Sequence, residues 1–92
     1  MTRLIQHLKL IDEAGGTEER VIWDVPAGVK SSDAVRYRLA YIPKGSKYPA
    51  VLYDNHHPKG HHKHIRGHQM AYEFTSVAKL LGDFRKDIEA IK

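Results

Sequence analysis

The feature that most limits how this chain can fold is the apolar stripe near its C-terminal end. Leu80, Leu81, Phe84 and Ile88 follow Val77 at spacings of three, four, seven and eleven, and Ile91 continues the series. At 3.6 residues per turn these positions share one side of a helix, so the spacing predicts a helix over 76–91 with one face to bury. Thr75 or Ser76 can cap its start, because a side-chain oxygen there accepts from an amide left open in the first turn. Gly82 interrupts the stripe at a cost of about 1 kcal/mol relative to Ala, which points either to close packing or to simple tolerance. A helix with one apolar face needs a second layer to cover it, and the rest of the chain must supply that layer.

The rest reads as strands. Residues 35–42 alternate, with Val35, Tyr37, Leu39 and Tyr41 on one face and Arg36 and Arg38 on the other. Residues 20–25 are rich in β-branched and aromatic side chains, stop at Pro26, and contain Trp23, which is expected to anchor the core. The apolar positions between Leu4 and Ile11 fit a short helix or a strand, and the turn signal Glu13-Ala14-Gly15-Gly16-Thr17 that follows favours a hairpin. Residues 27–34 have no period and read as a loop. Pro43-Lys44-Gly45-Ser46 is a turn, 50–54 a further strand, and 70–74 the last one. The expected fold is α+β: an antiparallel meander of about five strands with one long C-terminal helix packed on a face. A length of 92 residues leaves room for one core, hence a single domain over 1–92.

Charge narrows the function. Residues 30–68 hold eight Lys and Arg against two Asp, an excess of six, although the whole chain carries only +4. Basic charge gathered in one segment draws phosphates or an acidic partner toward it. The chain has no cysteine, which removes disulfides, thiolate nucleophiles and sulfur-ligated zinc. It has no apolar run of membrane-spanning length and no secretory leader pattern, so the expected location is the cytoplasm, away from membranes.

Six of the seven histidines fall between His56 and His68. Pro58 and Gly60 break regular structure, so 55–60 reads as a loop. His62 and His64 share a face if the chain is extended there, with Lys63 on the other. Three readings compete. In the first, imidazoles with pKa near about 6.5 take a proton from a ribose 2′-hydroxyl and give one to the leaving 5′-oxygen, without metal or other cofactor. His62 and His64 are then acid and base, Tyr53 assists, and Lys59 and Arg38 hold the phosphate. Arg36, Lys63 and Arg66 extend the RNA contact. In the second, His62, His64 and Asp54 ligate a metal such as zinc, copper or nickel. In the third, the histidines do no chemistry, and the chain is a nucleic-acid-binding or regulatory interaction module whose basic face docks an acidic partner.

The residues also suggest a family. A Trp-containing strand is followed in order by Tyr37-Arg38-Leu39-x-Tyr41, Tyr53-Asp54-Asn55, Lys59-Gly60 and His62-x-His64. Tyr72-x-Phe74 and Ser76-Val77-x-x-Leu80-Leu81-x-Asp83-Phe84 complete the series. This ordered set resembles the TumE family of toxin proteins from bacterial and archaeal toxin–antitoxin operons. The resemblance implies a small toxin neutralised by an antitoxin protein, commonly one with a DNA-binding region. One position departs from it: His61 stands where the resemblance leads to an acidic residue.

Overall fold

The computed structural model describes residues 3–24, 35–55 and 60–92. The expected loop at 27–34, the strand end at Val25, and His56, His57, Pro58 and Lys59 lie outside the described residues. Among those described, the strands are β1 (Arg3–Ile11), β2 (Thr17–Asp24), β3 (Val35–Ile42), β4 (Val51–Asp54), β5 (His62–Ile65) and β6 (His68–Ala71), followed by the helix α1 (Val77–Ile91). They form one antiparallel sheet in chain order, so the meander and the C-terminal helix are as the sequence predicts. No helix among the described residues is long and apolar enough to cross a membrane.

The strand count is six rather than about five, and the last strand is His68–Ala71 rather than 70–74. The reason lies in a two-residue turn. Arg66 (φ 48°) and Gly67 (φ 87°) both adopt the left-handed conformation, and Ile65 faces His68 directly across the hairpin. Two successive positive φ values match the right-handed twist of the flanking strands, as in the tightest hairpin turns. Arg at the first of these positions is an unusual choice, which hides the turn from a search for Asn-Gly or Asp-Gly.

The turn between β1 and β2 is held by Asp12, whose Oδ1 accepts from the Gly16 amide at 2.8 Å and whose Oδ2 accepts from the Tyr41 hydroxyl at 2.6 Å. A Cβ on Gly16 would lie 2.2 Å from the Tyr41 hydroxyl oxygen, so this approach of turn to strand admits only glycine.

Alternation along the strands sends Ile22, Tyr37, Leu39, Tyr41, Val51 and Tyr53 to the face covered by α1, where they form the core with Leu80, Phe84 and Ile88. Full burial of an aliphatic or Phe side chain contributes roughly 1.5–3 kcal/mol. Val77, Leu81 and Ile91 pack at the margin, half-buried. Ser76 is the cap, accepting from the Lys79 amide at 3.1 Å. The buried Glu18 accepts from Arg20 at 2.6 Å and from Arg85 at 2.7 Å, tying β2 to the helix. Gly82 is exposed with open space around it, so the sequence tolerates it without any packing demand.

Trp23 is not a core anchor. It is 37% exposed, because Ile22 takes the helix side and alternation turns Trp23 to the opposite face.

Candidate functional site

The sheet face opposite α1 carries the side chains that the sequence marks for chemistry. Arg38 on β3, Asp54 on β4 and His62 on β5 are direct register partners and form one row across three strands. Ala40, Leu52 and His64 form the next row. His62 and His64 therefore share a face, as their spacing predicts, and their rings meet edge to face with centroids 5.1 Å apart.

Each member of the row is oriented by a neighbour. His62 is only 6% exposed, and its Nδ1 lies 2.9 Å from the Gly60 carbonyl oxygen. A carbonyl only accepts, so the Nδ1 proton points to Gly60 and Nε2 is turned to Asp54 Oδ1 at 3.7 Å. Arg38 Nη1 lies 3.6 Å from Glu19 Oε1 and remains partly exposed. His64 is half-exposed, so it is the imidazole of the pair more open to solvent. The row joins a guanidinium, a carboxylate and one imidazole, and the His64 imidazole of the next row lies against it, a set able to hold an anion and to move protons beside it.

Other residues marked by the sequence lie elsewhere. Tyr53 is fully buried on the helix side of the sheet, and its hydroxyl donates to Asp87. Burial and that bond push its pKa well above the ordinary phenol value. The sheet itself separates Tyr53 from His62 and His64, so the structure does not bring the three together. Lys63 points to the same side as Tyr53, with Nζ 3.0 Å from Asp87 Oδ2. Arg66 sits in the β5–β6 turn, where its Nη2 donates to the Ile91 carbonyl at 3.4 Å. Arg36 is exposed on the same face as His62, opposite Trp23 in register. Lys59 lies outside the described residues.

The described histidines do not form one cluster. His61 lies on the helix side, with its ring stacked on Phe74 (5.1 Å) and its Nδ1 2.8 Å from the Tyr37 hydroxyl. Among the described residues no three His, Asp or Glu are placed to hold a metal ion. His62 and Asp54 are adjacent, with Nε2 3.7 Å from Asp54 Oδ1, but His64 does not complete a three-residue set with them.

Sequence reasoning missed the acids that organise both faces. Asp54 was legible only as a metal ligand, yet it stands between Arg38 and His62. Asp83 and Asp87 are one helical turn apart and anchor Tyr72 (2.6 Å) and Tyr53 respectively. The Tyr72 hydrogen bond, with help from Lys79, lowers the Asp83 pKa against the opposing effect of burial. Their spacing beside the core positions Phe84 and Ile88 was the available signal.

No match is found among curated proteins or among solved structures. The family described as Toxin TumE matches residues 2–92, nearly the whole chain, and the chain therefore belongs to the TumE toxin family.

Proposed function

We propose that this chain is the toxin of a toxin–antitoxin pair and that it cleaves RNA in the cytoplasm, without a metal, through His62 and His64. Membership of a toxin family implies an antitoxin partner. The observation that carries the nuclease reading is the pair of imidazoles 5.1 Å apart on one sheet face, His62 in the row of Arg38 and Asp54 and His64 in the row beside it.

In this reading one imidazole removes the ribose 2′-hydroxyl proton as that oxygen attacks the adjacent phosphorus. The other protonates the departing 5′-oxygen, so the phosphodiester is exchanged for a 2′,3′-cyclic phosphate and a 5′-hydroxyl end. Arg38 holds the phosphate and offsets the charge that builds on its oxygens, and Arg36 continues the contact along the strand. The Gly60 carbonyl orients His62 by accepting its Nδ1 proton, with Asp54 beside Nε2. Lys59 is assigned a phosphate contact by its sequence position. Lys63 and Arg66 add to the field that draws RNA in, and Tyr53 supports the sheet from behind.

The test is cleavage of RNA by purified protein in EDTA. Products should carry 2′,3′-cyclic phosphates, and RNA with a 2′-deoxyribose at the cleaved position should resist. His62→Ala and His64→Ala should each lower the rate by about 10²–10⁴-fold with the fold intact. Inactivity toward varied RNAs and ribosomes, or full activity of the double variant, sinks the nuclease reading and leaves a non-enzymatic interaction module.

A further inference from the structure

We propose that Trp23, with Arg36 beside it, is a base-stacking platform for single-stranded RNA on the sheet face opposite α1. This inference rests on the nuclease reading and adds to it a binding subsite and the form of the substrate.

The placement of Trp23 is what calls for an explanation. It is the only tryptophan in the chain, and it is 37% exposed while its neighbour Ile22 is buried. Arg36 is its direct register partner, which places the two side chains about 5 Å apart at their Cβ atoms. Arg38 is two residues further along β3 on the same face, and Arg38, Asp54 and His62 then lead across β4 to the imidazoles. Three strand spacings of about 4.8 Å separate β2 from β5, so Trp23 stands about 14 Å to the side of the histidines. A strand whose scissile phosphate lies at His62 and His64 therefore runs past Arg38 and Arg36 and brings a flanking base over Trp23.

The chemistry suits that occupant. An indole stacks on any base because every base has a π-face, and a guanidinium next to it meets the adjoining phosphate. Among the described residues the same face presents Lys9, Arg36 and Arg38 against Glu19 and Asp54, an excess of positive charge that attracts a polyanion. Leu4 and Ile5 are also exposed at this end, so a protein partner is the competing occupant. The arginines beside Trp23 favour RNA.

The experiment follows the emission of Trp23, which reports on this residue alone, during titration with a fluorescein-labelled single-stranded 2′-O-methyl oligoribonucleotide that cannot be cleaved. Label anisotropy measures binding independently. Expected is saturable quenching that tracks the anisotropy and weakens with salt. Trp23→Ala should raise Kd about 5- to 150-fold, and Trp23→Phe should retain most of the affinity. Binding with unchanged Trp23 emission, or with the Kd of Trp23→Ala equal to that of the unaltered chain, overturns the platform. If cleavage by His62 and His64 persists in that case, the nuclease reading stands without it. Quenching by the antitoxin protein, with none by RNA, identifies a protein-docking site and also overturns the proposal.

Discussion

Asp12 and Tyr41 set limits on stability at both ends of the pH scale. The Tyr41 hydroxyl, the Gly16 amide and Lys92 all point at the Asp12 carboxylate and lower its pKa from 3.8 to about 2. A depressed carboxylate stabilises the fold fully above its unfolded value, and that contribution disappears as pH falls from 3.8 towards about 2. The same bond raises the Tyr41 pKa from 10.0 to about 12, with burial adding to it. A raised phenol stabilises fully below its unfolded value, and that contribution is lost as pH rises from 10.0 towards about 12. Denaturant unfolding at stepped pH should therefore show a drop in each window. Asp12→Asn should flatten the acid drop, and an undiminished drop in that variant would assign it to other carboxylates. At this scale the sequence was partly readable. The alternation of residues 35–42 separated Tyr37 and Tyr41 from Arg36 and Arg38 correctly, and the same rule applied to Ile22 would have turned Trp23 outward. Pairings such as Tyr41 with Asp12 join a strand residue to a turn distant in sequence, and no local pattern announces them.

The helix was the most legible element because its signals agree: a stripe at helical spacing, a serine before it, and no competing period. Its details give a paired test. The Ser76 hydroxyl satisfies the Lys79 amide, so Ser76→Ala should lower stability by about 0.5–2 kcal/mol. Gly82 is exposed, and a methyl group there meets nothing within 4 Å, so Gly82→Ala should raise stability by up to about 1 kcal/mol. Chemical denaturation of both variants checks the pair, and a destabilising Gly82→Ala would mean that the glycine has a packing role after all. The hairpin of β5 and β6 was the least legible element. Its strands have four residues each, its turn is Arg66-Gly67, and His62-Lys63-His64-Ile65 offers little apolar alternation. Extended structure there depends on pairing with β4, a tertiary effect that propensity does not carry.

At the scale of the whole molecule, one sheet separates two jobs. The face under α1 holds the core together with the polar pairs Tyr53–Asp87, Lys63–Asp87 and Tyr72–Asp83, whereas the opposite face holds Arg38, Asp54, His62 and His64. The candidate site was legible as residues but not as an arrangement. Its members come from three strands, and only the register decides that Arg38 stands in line with His62 and that Tyr53 stands behind the sheet. This separation yields a prediction that either face can fail. Tyr53 is buried, and its hydroxyl is the donor that satisfies a carboxylate also bound to Lys63. Tyr53→Phe removes that donor and should cost about 1–3 kcal/mol of stability, while RNA cleavage per folded molecule stays unchanged. Arg38 is partly exposed, and its ion pair with Glu19 at 3.6 Å is a surface contact of small worth. Arg38→Ala should shift stability by no more than about 0.5 kcal/mol while impairing cleavage, because on the proposed mechanism it removes a cation that holds the phosphate. Denaturant unfolding and cleavage assays on the two variants give four readings. A Tyr53→Phe variant of full stability but low activity would move the reacting centre to the helix side of the sheet, where Tyr53, Lys63, Asp87 and His61 would be the residues to test next.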